Sequence, residues 1–97
     1  MSGGNWKQLF KAVTEGDLEL VRIYLRMGID PNYQHPEFME APLVESIRVN
    51  NLDIAKLLLD NGANNPKIKE VMGGATPILI AKANNNTKAI ELLEKYS

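Results

Sequence analysis

Gly16-Asp17-Leu18-Glu19-Leu20-Val21-Arg22-Ile23-Tyr24-Leu25-Arg26-Met27-Gly28-Ile29-Asp30 and Asn50-Asn51-Leu52-Asp53-Ile54-Ala55-Lys56-Leu57-Leu58-Leu59-Asp60-Asn61-Gly62-Ala63-Asn64 align without a gap at an offset of 34 residues. Each stretch opens on a turn residue, runs as x-Leu-acid-aliphatic-x-basic-aliphatic-x-Leu and stops at a glycine. A fainter copy, Asn85-Asn86-Thr87-Lys88-Ala89-Ile90-Glu91-Leu92-Leu93, follows the second at an offset of 35. Self-similarity at this period points to stacked supersecondary units rather than to one irregular core. Within the second copy Leu52, Ala55, Leu58 and Leu59 fall on one helical face, widened by Ile54 and Leu57. Gly28 and Gly62 stand where a helix C-terminus needs a left-handed residue, and Asp17 and Asn51 stand where an N-cap oxygen is wanted.

A shorter apolar segment precedes each copy: Leu9–Val13, Leu43–Ile47 and Ile78–Ala81. Thr76-Pro77 ahead of the third is a helix start. Threonine oxygen can accept from an orphan amide, and proline at the first helical position gives up an N–H that had no partner there. Pro42 plays the same part in the second copy. The unit is therefore short helix, tight turn, longer helix, glycine stop and an irregular connection. The connections, roughly 29–40 and 63–75, hold Pro31, Pro36, Pro66, Gly73 and Gly74 and read as extended loops or hairpins.

With 97 residues the chain has room for one small domain with a narrow stability margin. Eleven basic and twelve acidic residues leave a net charge of −1, which supplies no basic footprint for a phosphate backbone; no nucleic-acid partner is expected. No apolar run is long enough to cross a membrane, and Met1–Asn5 has neither the basic nor the apolar region of a secretion signal, so a cytoplasmic setting is expected. The absence of cysteine removes disulfides and thiolate metal sites and fits that setting without requiring it.

These residues carry a family resemblance. The unit resembles the ankyrin repeat, whose consensus runs Thr-Pro-Leu-His-x-Ala, then Gly-x-Leu-x-x-Val-x-x-Leu-Leu, then Gly-Ala-Asp-x-Asn. Thr76-Pro77-Ile78-Leu79-Ile80-Ala81 matches the first part. Leu57-Leu58-Leu59-Asp60-Asn61-Gly62-Ala63-Asn64 and Gly28-Ile29-Asp30-Pro31-Asn32 match the later ones. The resemblance spans about Asn5 to Tyr96 and implies an all-α solenoid of three helix-turn-helix units joined by extended loops or hairpins. Its repeats fall at about 5–32, 33–65 and 66–97 of a single 1–97 domain. Departures from the pattern are specific. Spacings of 34 and 35 exceed the usual ~33, with the extra residues in the connections. Phe10, Val44 and Leu79 stand at the histidine position, which removes the usual side-chain tie between loops. Ala41 replaces a capping threonine. Asn50 and Asn85 replace the inter-helix glycine, asparagine being the next residue to tolerate a left-handed turn. Lys88, Glu91, Glu94 and Lys95 at one end, and Lys7 and Lys11 at the other, suit the polar outer faces that the ends of a stack require.

Reactive groups are few. His35 is the lone histidine, in the loop Tyr33-Gln34-His35-Pro36, and reads as an exposed loop residue, since no orienting partner or pocket is signalled. Zinc lacks ligands. Gly73-Gly74 lacks the lysine and hydroxyl residue of a phosphate loop. Asn84-Asn85-Asn86 reads as a turn, Ser46 as a small packing residue, and Tyr24 and Tyr96 as half-buried. No catalytic residue, cofactor or metal is expected, and the chain is not expected to be an enzyme.

Proteins resembling ankyrin repeats bind partner proteins through finger tips and the inner face of the short helices. Carried over by position, that resemblance implies a surface of Trp6 before the first short helix and Thr14 and Glu15 at its end. It continues with Glu37, Phe38 and Glu40 in the second finger, Arg48 and Val49 at the end of the next helix, and Met72 and Ala75 in the third finger, followed by Asn84. Trp6, Phe38 and Met72 suit interface anchors, or alternatively cover the open end and their own loops. Glu15, Glu37 and Glu40 suggest a partner with a basic patch. The expected function is a protein-interaction module. A stand-alone inhibitor or immunity-type protein that neutralises an enzyme or toxin is the alternative, and an enzyme with an unrecognised site the remote one. Monomer or weak homodimer is the expected state, because three repeats sit near the lower limit for a stable stack.

Overall fold

The computed structural model describes residues 6–32, 41–63 and 76–96. Six helices follow one another: α1 (Trp6–Glu15), α2 (Leu18–Arg26), α3 (Pro42–Arg48), α4 (Leu52–Asp60), α5 (Pro77–Ala83) and α6 (Thr87–Lys95). They form three helix-turn-helix pairs, and the described residues contain no strand. The alternation of short and longer helix read from the sequence is thus present in repeats two and three. In the first repeat α1 is longer than expected. It begins at Trp6, so that residue opens the helix instead of preceding it.

Two layers result. The first helices of each pair stand side by side, α1 on α3 and α3 on α5, while α2 packs on α4 behind them. Between the layers runs one apolar cluster that draws on every helix, including Leu9, Val13, Val21, Leu43, Ile47, Ile54, Leu58, Ala81, Ala89 and Leu93. Small residues at the closest approaches, Ala55, Ala81 and Ala89, are fully buried. Ser46 is buried too, with its hydroxyl donating to the Leu43 carbonyl at 2.7 Å. A second small cluster, Ala41 and Val44 covered by Ile80, seals the front of the joint between repeats two and three.

The turns within the pairs follow one plan. Gly16, Asn50 and Asn85 all have positive φ, 75°, 58° and 54°. The next residue in each case caps the second helix, with Asp17, Asn51 and Asn86 accepting from the amides of Leu20, Ile54 and Ala89 at 3.1 Å. Ala41 caps α3 with no side-chain bond, as the missing threonine implied, whereas Thr76 Oγ1 accepts from Leu79 at 3.4 Å.

Candidate protein-binding surface

α1, α3 and α5 stand side by side and the turns that follow them meet, Gly16 beside Asn51 and Asn50 bonded to Asn86, so their C-terminal ends come out along one edge of the molecule. Thr14, Glu15, Arg48, Val49 and Asn84 sit there, and all five are exposed. The first two close α1, Arg48 closes α3, and Val49 and Asn84 are the residues that stop α3 and α5. Trp6 lies at the opposite end of α1, half-buried with its ring edge-on to Phe10 at a centroid distance of 6.4 Å. It is therefore set apart from the five edge residues. Glu37, Phe38, Glu40, Met72 and Ala75 lie outside the described residues, as does His35.

The centre of the edge is a carboxylate that the sequence did not single out. Glu45, on α3, is only 7% exposed. Its Oε2 lies 3.0 Å from the Thr14 hydroxyl on α1, and its Oε1 accepts from Arg48 Nη1 at 2.7 Å. The Thr14 hydroxyl also lies 3.0 Å from the Phe10 carbonyl, and with one proton it serves one acceptor at a time. A nearly buried carboxylate is tolerated only when paired and hydrogen-bonded, and here two repeats supply the partners. The arrangement orders Arg48 at the edge and removes Glu45 from the charge a partner would meet. The signal in the sequence was the i, i+3 spacing of Glu45 and Arg48; what hid it was that Thr14 comes from another repeat.

Beside this cluster Val49 is 41% exposed, one of four large apolar side chains left open among the described residues, with Ile23, Met27 and Leu79. Val49 borders an open depression of about 420 Å³ lined by Asn50, Asn51, Asp53, Asn86 and Lys88. Its wall is tied across repeats by Asn86 Nδ2, which donates to Asn50 Oδ1 at 2.8 Å. An open, polar hollow of this kind differs from the enclosed apolar cavities that hold small ligands. Among the described residues no group of three or more histidine, cysteine, aspartate or glutamate side chains is placed to hold a metal ion. No described helix is long and apolar enough to cross a membrane.

The outer layer carries one further charged group. Asp60, on α4, accepts from Lys56 Nζ at 3.0 Å and from the hydroxyl of Tyr96, just past α6. The hydrogen bond from Tyr96, then that from Lys56, holds the Asp60 carboxyl below its ordinary range. The same bond raises Tyr96, and the bond and charge of Asp60 raise Lys56.

Paired helices stacked in register with a recurring left-handed turn define a helical repeat protein. The model of ankyrin repeats in three copies matches residues 9–97, and the chain belongs to the ankyrin repeat family. It is 35% identical over 83 residues to ankyrin repeat protein R664 of Acanthamoeba polyphaga mimivirus, covering 86% of this chain and 49% of that one. To the 2-5A-dependent ribonuclease of Homo sapiens it is 35% identical over 80 residues, covering 82% of this chain and 10% of the other. To the ARF GTPase-activating protein Git of Drosophila melanogaster it is 34% identical over 90 residues, covering 91% and 12%. The chain thus spans between a tenth and a half of these relatives.

Proposed function

We propose that this chain binds a partner protein through the edge formed by Thr14, Glu15, Arg48, Val49 and Asn84, together with the finger residues Glu37, Phe38, Glu40, Met72 and Ala75 that adjoin these helices in sequence. Ankyrin repeats generally mediate protein–protein interaction and are typically non-catalytic. The observation that carries the finer reading is the exposed edge itself. It sets an open apolar residue, Val49, beside an arginine held in place by Glu45. Ordered arginines and exposed apolar anchors are what interface centres use. The relatives add support: a ribonuclease and a GTPase-activating protein share this segment as a small part of their length, which fits recognition better than any one chemistry. Trp6, half-buried against Phe10, fits an end-covering role better than that of an anchor.

With Glu45 neutralised by Arg48, the remaining acidic groups of the proposed surface are Glu15, Glu37 and Glu40, and the partner is expected to present a basic patch. A single domain of three repeats, a cytoplasmic setting and a monomer or weak homodimer complete the proposal. The test is capture from the source-cell lysate with the native chain beside Val49→Glu, Phe38→Glu and Glu37→Lys variants that keep the native helical signal. A stoichiometric protein held by the native chain and released by the variants supports the edge. Equal retention by all would move binding to another face, and no retained protein would sink the reading.

A further inference from the structure

Of the ten asparagines in the chain, Asn61 alone is followed by glycine. A glycine on the C-terminal side leaves the amide nitrogen without steric cover, so the Asn-Gly pair is the sequence most open to intramolecular attack. We infer that Asn61 is a self-modification site, converted without an enzyme to aspartate and isoaspartate, and that the closed turn after α4, tied by Asn32 to the first repeat, gates the reaction.

The chemistry uses only the chain and water. The Gly62 amide nitrogen gives its proton to solvent base and attacks Asn61 Cγ. A C–N bond forms, ammonia leaves with a proton from water, and a cyclic imide results. Water then opens either carbonyl, giving an aspartate in the normal chain or an isoaspartyl link through the side chain.

The folded chain holds the Asn61 side chain and the Gly62 amide away from that course. Both residues are exposed, so solvent base and water have access. Asn61 stands just past α4 with φ −101° and ψ 17°, and its Nδ2 donates to the Leu57 carbonyl at 2.8 Å, which draws Cγ back over the last turn. The Gly62 amide donates to the Leu59 carbonyl at 3.0 Å. Its own carbonyl accepts from Asn32 Nδ2 of the first repeat at 2.8 Å. The next amide, that of the fully buried Ala63, donates to Leu58 at 2.9 Å. The glycine is left-handed, at φ 92°. Attack requires this turn to open; three of its bonds come from the end of α4 and the fourth, from Asn32, ties it to another repeat, so the rate reads the opening of the turn and the joint contributes through Asn32.

The product would act back on the same joint. An isoaspartyl link adds a methylene to the backbone between positions 61 and 62, shifting the Gly62 carbonyl off Asn32 and displacing Ala63 from the core. Either product also sets a carboxylate at a helix C-terminus beside Asp60, where negative charge is unfavourable. Modification is therefore expected to loosen repeat one from repeat two.

The experiment incubates the full chain in the same mildly alkaline buffer with and without unfolding urea. Trypsin cleavage after Lys56 and Lys67 then releases peptide 57–67, which also holds Asn64 and Asn65 as internal controls. In urea Asn61 should convert ahead of every other asparagine. In the folded chain it should convert about tenfold or more slowly, in proportion to the open population. Asn32→Ala should speed the folded reaction and leave the urea reaction unchanged. Should that variant not fold, the native chain in sub-denaturing urea gives the same reading, through acceleration before the main transition. Equal rates in folded and unfolded chain would overturn the gate, and faster conversion of another asparagine in urea would overturn the site. The converted species, separated by charge, should melt below the native chain; equal melting would overturn the loosening.

Discussion

The two joints of this stack, repeat one to two and repeat two to three, join the same kind of helix pair by different chemistry. At the front of the first, the Thr14 hydroxyl meets Glu45 across α1 and α3. At the front of the second, the residue in register with Glu45 is Ile80, and it covers Ala41 and Val44. On the turn side, Gly16 leaves no side chain to reach across, and a Cβ there would lie 3.3 Å from Asn51 Nδ2. The second joint has Asn86 bonded to Asn50 instead. At the back, Asn32 reaches the Gly62 carbonyl in the first joint, and Tyr96 reaches Asp60 in the second. A repeat needs its neighbour's surface but fixes only the backbone path and the small core residues. The joints are free to be polar or apolar.

The largest effect should come from placing a charge in the apolar joint. Val44 is 2% exposed, and Val44→Asp places a carboxylate against the apolar side chains of Ala41 and Ile80. A loss of about 3–5 kcal/mol is expected, near the whole stability of a domain this size. Urea denaturation monitored by far-ultraviolet circular dichroism measures it; a loss below about 1 kcal/mol would mean the joint is open.

Exchanging the joint chemistries sharpens the contrast. Ile80→Glu removes the cover of Val44 and is expected to cost about 1–2 kcal/mol. The converse, Glu45→Ile, frees Thr14 and Arg48, which reach solvent and can hydrate. Its expected change lies within about 1 kcal/mol, since apolar replacements of nearly buried carboxylates are often neutral. If the two substitutions cost the same, the polar joint depends on its own residues as strongly as the apolar one does, and the distinction fails.

Much of this is legible in the sequence, and what is not has one main cause. The caps at Asp17 and Asn51 follow from a residue and its neighbours in sequence, and left-handed Asn50 and Asn85, the uncapped Ala41 and the packed Ser46 follow from the resemblance to the ankyrin pattern. Glu45, Asn32, Asn86 and Tyr96 cannot be read that way, because each acts on a group 30 to 36 residues away in a neighbouring repeat. The sequence shows that the histidine tie is missing, but not what replaces it. Val44, at that position, is absorbed into the apolar joint, while Asn32 and Asn86 supply the polar links. The start of α1 at Trp6 is harder to see than those of α3 and α5, because no proline stands at its first position as Pro42 and Pro77 do in theirs. Of the candidate edge, Thr14, Arg48, Val49 and Asn84 are fixed by their position at the ends of helices, which periodicity finds well.

A smaller contrast separates the turns. Asn86→Ala removes both the cap on α6 and the bond to Asn50, whereas Asp17→Ala removes a cap alone. The expected losses are about 2 and about 1 kcal/mol. Adding Asn50→Ala to Asn86→Ala would cost less than the sum of the two, a coupling that a double-mutant cycle detects. Additive losses would show that the Asn50–Asn86 bond contributes nothing to the joint.

The smallest effect belongs to the exposed Tyr96–Asp60–Lys56 group, and pH distinguishes it from the rest. Asp60 is lowered from its ordinary 3.8, so its contribution is complete above that value and is lost as pH falls through the lower folded one. Tyr96 and Lys56 are raised from 10.0 and 10.5, so theirs is complete below those values and is lost as pH rises through the higher folded ones. Tyr96→Phe removes the hydroxyl and leaves the half-buried ring. Its stability deficit against the native chain should therefore be widest at neutral pH and narrow towards both extremes. Salt should weaken the Lys56 bond to Asp60, since both side chains face water, and leave the neutral donor largely intact. No deficit at any pH from about 3 to about 11 would show that the ring alone holds α6 to α4, and that the second joint is apolar at its back as well as at its front.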